Sequence, residues 1–183
     1  MPTDRTFARK ASAVYAEVLL EAAAGRNTAF EVSGQLEQVL AAVRGNVDLR
    51  NALCDRTIPA PSRAAIAREV FAGVDAALVE VLAVMVERDD ISLLSRVNEA
   101  YTGLAEQHLG AVILDVTTVV GLDEGLRGRI REKYSSQFGM DVLLREHIDR
   151  SLVGGIVLST HGRRIDASVV SQLENARAVL SGS

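Results

Sequence analysis

The chain has little of several things, and each shortage excludes something. It has one cysteine, Cys54, among 183 residues, so no disulfide can form within it, and a reducing compartment is the expectation. Tryptophan is missing and aromatic residues make up only 4%. The core must therefore come from Ala, Val, Leu and Ile, a composition that favours close-packed helices. Proline occurs only at Pro2, Pro59 and Pro61, so nothing after Pro61 is punctuated by it. Lysine occurs only at Lys10 and Lys133; the other basic residues are arginines, which reads as the codon bias of a GC-rich genome. There is no basic block, and the net charge is -4, which argues against a protein that neutralises nucleic-acid phosphates. The longest strongly apolar run, Val81 to Val86, falls far short of the roughly 20 residues of a spanning helix, so a soluble protein is expected. The opening residues MPTDRTFARK carry charge and no apolar segment, so no signal peptide is expected.

What is present is helical periodicity. Phe7, Ala8, Ala11, Val14, Tyr15, Val18, Leu19 and Ala22 recur at steps of three and four and predict an amphipathic helix that Gly25 ends. A second helix carries Val32, Leu36, Val39, Leu40 and Val43. A short third holds Leu49 and Leu53. After the connector Thr57–Ser62, with Ser62 a candidate cap, a fourth carries Ile66, Val70 and Phe71. Asp75 is a candidate cap for a fifth with Leu78, Val81, Leu82 and Met85. Asp89 and Asp90 break the pattern and place negative charge at the start of a sixth, with Leu94, Val97, Tyr101 and Leu104.

From Gly110 the pattern changes. Ala111–Val120 is rich in β-branched residues and predicts a strand. Asp123 can cap a helix that Gly139 stops. Asp141–Ile148 and Gly155–Thr160 predict two more strands, His161-Gly162 marks a turn, and Val169, Leu173, Ala176 and Leu180 a last helix. The expected fold is mainly α: a six-helix bundle over 1–108, then a small β-α-β-β-α domain over 109–183. Charge divides at the same place: residues 1–108 hold 11 basic and 15 acidic side chains, and 109–183 hold 9 of each.

Chemistry is scarce. His108, His147 and His161 are isolated from one another in sequence and give no metal-ligand spacing. Cys54 lacks a flanking motif and reads as a small buried helical residue. Gly154-Gly155 lacks dinucleotide-loop spacing and leads into a strand, so it reads as close backbone approach. Two helices carry surplus apolar residues: the first has Ala13, Ala16, Leu20, Ala23 and Ala24 beside its stripe, and the fifth has Val79, Ala83, Val84 and Val86. Such helices are either buried on both sides or form a groove for a partner helix. Two rival readings exist: an enzyme in which His147, Asp149 and Asp166 converge, and a helical regulator or adaptor of another complex.

The tail carries a more specific pattern. Ile148-Asp149-Arg150-Ser151-Leu152-Val153-Gly154-Gly155-Ile156-Val157-Leu158, then Arg163-Arg164-Ile165-Asp166-Ala167-Ser168 and Leu173, resembles the signature of the ATP synthase delta subunit family, which includes the mitochondrial oligomycin sensitivity-conferring protein. Tyr15-Ala16 in the first helix resembles the family's opening. The chain departs from the family at Ala167, where glycine is usual, and at Val170, where arginine is usual. The resemblance implies a non-catalytic, cofactor-free subunit of the F-type proton-translocating ATP synthase, peripheral on the cytoplasmic face of the cell membrane. It implies that the bundle binds the N-terminal helix of an alpha subunit in a groove of the first and fifth helices, with Tyr15, Leu19 and Val84 as docking residues. It implies that the second domain binds the b subunits of the peripheral stalk. Asp149, Ser151, Gly154, Gly155, Asp166 and Ser168 then mark the family and serve structure, with Asp166 or Ser168 capping the last helix.

Overall fold

A computed structural model describes residues 3–152, 155–160 and 163–168, with side chains over 6–152 and 155–160. The chain is mainly helical with one small sheet, and it divides into two units, Met1–Leu109 and Gly110–Ser183.

The first unit contains α1 (Thr3–Ala24), α2 (Ala29–Gly45), α3 (Val47–Cys54), α4 (Ala60–Val70), α5 (Ala76–Glu87), a single 3-10 turn (Ile91–Leu93) and α6 (Leu94–Leu109). The chain breaks fall where local chemistry allows them. Asn27 takes a left-handed φ of 58° after α1, a conformation that asparagine tolerates. One residue, Asn46, separates α2 from α3, and its side chain caps α3 by accepting from the Leu49 N–H at 3.0 Å. Asp75 caps α5 by accepting from the Ala77 N–H at 2.9 Å. Ser62 does not cap α4. The helix starts two residues earlier at Ala60 with Pro61 in its first turn, where a missing N–H costs nothing. The core stripes meet in one cluster. Leu19 of α1, Leu36 of α2, Leu53 of α3, Leu78, Leu82 and Met85 of α5 and Tyr101 of α6 are completely enclosed. α1 packs on α6 and α5, α2 on α6, and α4 on α5. The Tyr101 hydroxyl donates to the Ala29 carbonyl at 3.1 Å, which satisfies the polar end of a buried ring.

The second unit contains β1 (Ala111–Thr118), α7 (Glu124–Phe138), β2 (Asp141–Ile148), β3 (Gly155–Thr160) and β4 (Arg163–Ser168). The sheet order is β2-β1-β3-β4. β1 and β2 are parallel, joined by the α7 crossover, while β3 is antiparallel to β1 and β4 to β3. Asp123 caps α7 by accepting from the Leu126 N–H at 2.7 Å, and Gly139 ends it at φ 67°. Ile130 and Tyr134 of α7 pack on Leu114 and Val116 of β1, Val142 of β2 and Leu158 of β3.

β4 was not among the expected elements. Its register sets Asp166 opposite Val157 and Ser168 opposite Gly155, so both lie within a strand. The sequence signal for this strand was the His161-Gly162 turn between two runs, with Ile165 and Ala167 alternating with polar neighbours. The helix expected over Val169–Leu180 lies outside the described residues, as does Gly154.

Candidate functional site

α1 carries two apolar stripes, and the fold uses only one of them internally. Ser12, Tyr15, Ala16, Leu19 and Ala23 face the core. Phe7, Ala11, Val14, Val18 and Ala22 form a second row at steps of 4, 3, 4 and 4, turned by roughly a third of a revolution from the first. In this row Phe7 is 64% exposed, Val14 56% and Val18 52%. Isolated exposed valines are ordinary, but three large apolar side chains in one row make an apolar strip on the surface.

α5 borders this row. Two contacts show that α5 runs antiparallel to the C-terminal half of α1. At one end the Arg26 guanidinium, just past α1, meets the Asp75 carboxylate at the start of α5 at 2.7 Å. At the other end the Tyr15 hydroxyl donates to Asp90, just past α5, at 2.8 Å. The α5 residue turned outward here is Val84, which is 36% exposed. Burial and the bond to Asp90 raise the Tyr15 pKa above the ordinary phenol value. Arg26 holds the Asp75 carboxyl below the usual carboxylate range, against the upward push of burial.

The docking residues expected from the family resemblance therefore divide. Val84 is on the surface. Tyr15 and Leu19 are in the core, at 8% and 0% exposure. The exposed residues of α1 are their immediate neighbours Val14 and Val18. Both rows satisfy the helical period, and only the positions of α5 and α6 decide which one turns inward.

Asp90 stands just before the 3-10 turn that leads into α6 and makes no side-chain capping bond there. Asp89 adopts a left-handed φ of 59°. Its carboxylate accepts from the buried Arg63 at 2.8 Å and lies 3.3 Å from Arg56. Arg63 also donates to the carbonyls of Leu53 and Ile58, each at 3.2 Å. One guanidinium thus ties the α3–α4 connector to the turn after α5. Cys54 is exposed, because its neighbour Leu53 takes the inward position at the end of α3.

In the second unit the signature residues act on backbone geometry. Asp149 accepts from the Ser151 N–H at 2.8 Å and from its hydroxyl at 2.6 Å, which closes the turn after β2 and lowers the Asp149 pKa. Gly155 opens β3 at φ 88°, where a side chain is disfavoured. At this end of the sheet Val120 is 71% and Ile148 64% exposed. A cavity of about 400 Å³ lies there, lined by Val120, Leu122, Leu126 and Ile156. His147 lies 3.4 Å from Asp115, while Asp149 is engaged with Ser151. Burial pushes the Asp115 carboxyl up, but His147 and Arg145 outweigh it and hold the group below the usual range. Among the described residues, no helix is long and apolar enough to cross a membrane.

Comparison with known proteins points to one family. The family model described as ATP synthase delta (OSCP) subunit matches residues 11–180. An ATP synthase subunit delta of Rhodopirellula baltica is 31% identical over 91% of this chain and 74% of that protein. One of Flavobacterium psychrophilum is 24% identical over 94% and 97%. One of Anaeromyxobacter dehalogenans is 29% identical over 91% and 94%. A chain of the Toxoplasma gondii mitochondrial ATP synthase hexamer shares the fold, with a TM-score of 0.55 at 17% identity over 92% of this chain and 96% of that one. The chain belongs to the ATP synthase delta (OSCP) subunit family, whose members are non-catalytic subunits of that membrane-associated complex.

Proposed function

We propose that this subunit is a joint: its first unit grips the catalytic head of the ATP synthase and its second unit grips the peripheral stalk. In this reading 1–108 is a six-helix bundle that receives the N-terminal helix of an alpha subunit. Residues 109–183 are a small α/β domain, closed by the helix expected over Val169–Leu180, that receives the C-terminal ends of the b subunits. The protein then sits peripherally on the cytoplasmic face of the cell membrane. It needs no cofactor, because a stator part works by stiffness and tight binding. Rotation of the rotor is converted at the catalytic sites only if the head is held still.

The observation that carries the docking reading is the row Phe7, Val14 and Val18 beside Val84. These side chains are exposed in the free unit, and a helix laid along them removes them from water. Burying a large apolar side chain contributes about 1.5–3 kcal/mol, so four half-open ones supply several kcal/mol against the cost of association. For the second unit, Val120 and Ile148 beside the apolar cavity support a stalk contact at that end of the sheet.

The test is a binding assay with a peptide spanning the first ~25 residues of an alpha subunit, long enough for several turns of helix. Wild type is expected to bind, and Val18→Asp and Val84→Asp to lose binding while remaining folded. Equal binding by both variants removes the α1–α5 surface from the proposal.

A further inference from the structure

A second cavity lies in the first unit, between α1 and α6. It holds about 510 Å³ and is lined by Arg9, Ser12 and Ala13 of α1 and by Arg96, Glu99 and Ala100 of α6. The room comes from short side chains. Ala13 and Ala100 end at a methyl group, and the Ser12 hydroxyl is turned back onto the Ala8 carbonyl at 2.7 Å. The two arginines of the cavity stand apart from others in the unit. Every arginine from Arg26 to Arg68 reaches a carboxylate, a hydroxyl or a carbonyl, as Arg26 does with Asp75, Arg44 with Ser95 and Arg68 with Glu80. Arg9 and Arg96 are exposed, and neither has a hydrogen-bond or ion-pair partner among the described residues. Glu99 lies three residues beyond Arg96 on the same helix face and pairs with neither arginine. The cavity is therefore bordered by two uncommitted guanidiniums, one from each helix, and by one uncommitted carboxylate.

A guanidinium presents a planar fork of donors that fits the oxygens of a phosphate group. A phosphate monoester carries about 1.5 to 2 negative charges at neutral pH, which two guanidiniums balance. A carboxylate repels that group but accepts from a hydroxyl beside it. We propose that the α1–α6 cavity is a binding site for a small soluble phosphate monoester that bears a hydroxyl near its phosphate. Arg9 and Arg96 clamp the phosphate from the two helices, and Glu99 accepts from the hydroxyl. The volume is far larger than a bare phosphate ion and falls in the range of sites for small organic ligands. The site is separate from the α1–α5 surface and does not depend on the docking reading above.

The experiment uses the full chain and isothermal titration at low ionic strength. The probe is glycerol 3-phosphate, with inorganic phosphate and glycerol as comparisons. Glycerol 3-phosphate is expected to bind saturably and more tightly than inorganic phosphate, and glycerol not at all. Arg9→Gln and Arg96→Gln are each expected to weaken binding by roughly three- to tenfold, as exposed charge-assisted contacts allow. Lys10→Gln removes the same charge from the next residue, outside the cavity lining, and is expected to leave binding unchanged. Glu99→Gln is expected to tighten inorganic phosphate and to shrink the preference for glycerol 3-phosphate over it. The three cavity side chains have no partners in the protein, so melting temperatures are expected to stay at the wild-type value and confirm that each variant is folded. Absence of saturable binding overturns the proposal, and so does equal weakening by Lys10→Gln and Arg9→Gln, which would mark general attraction to a positive surface. An unchanged preference in Glu99→Gln overturns the hydroxyl-bearing ligand class. If glycerol 3-phosphate fails but phosphatidic acid vesicles or a hexaglutamate peptide bind, the occupant is a membrane surface or a protein carboxylate, and the proposal is overturned.

Discussion

Val18 and Leu19 are adjacent in sequence, similar in chemistry, and predicted to fail in opposite ways. Leu19 is fully enclosed in the first unit, whereas Val18 is 52% exposed. Leu19→Ala removes buried methyl groups and leaves a cavity, at a cost of about 3 kcal/mol. For a unit of this size that corresponds to a fall in melting temperature of roughly 15 °C. Val18→Asp changes a solvated helical position, where stability is expected to move by about 0.5 kcal/mol or less. Its effect falls on docking. About half of the valine surface remains for a partner to cover, which contributes about 1 kcal/mol, and drying a carboxylate against an apolar helix adds about 2 kcal/mol. Together these weaken binding by roughly a hundredfold. Thermal melts and titration with an alpha-subunit peptide separate the two outcomes. A melting temperature unchanged by Leu19→Ala, or an affinity within about threefold of wild type for Val18→Asp, would mean that the inner and outer faces of α1 have been exchanged.

Three further outcomes follow from other contacts. Asp75 has a folded pKa depressed by Arg26, so its contribution is present above the unfolded value near 3.9 and is lost as pH falls through the folded value; Asp75→Asn, which keeps the cap, is expected to flatten the acid limb of melting temperature against pH. Arg63→Met leaves two carbonyls and the Asp89 carboxylate without their donor and is expected to cost about 3 kcal/mol in urea unfolding. Gly139→Ala forces a side chain into φ 67° at the end of α7 and is expected to cost about 1 kcal/mol, read from the same denaturation curves.

The helices were legible because their apolar period is clean and because Asp75, Asp123 and Gly139 mark ends by local chemistry alone. Which face of α1 turns outward was not, since Leu19 and Val18 carry the same sequence signal and differ only in what stands opposite. The Asp89-Asp90 pair illustrates the same limit. A cap is a local event, but these carboxylates answer to Arg63 and Tyr15, distant in sequence. β4 carries a weak signal, because six residues with only Ile165 and Ala167 apolar make a short alternation. The family, by contrast, was readable from the tail, where turn geometry calls for Asp149, Ser151 and Gly155.

The covalent path from one unit to the other has a mechanical meaning. α6 ends at Leu109, and a single left-handed residue, Gly110 at φ 63°, leads straight into β1. β1 is an interior strand of its sheet, paired with β2 along all of Ala111–Thr118 and with β3 over Asp115–Thr118. Tension arriving along the main chain therefore reaches β1 before any other strand. Over Asp115–Thr118 this strand is held on both sides, so it cannot leave the sheet without breaking two ladders, where an edge strand would give up only one.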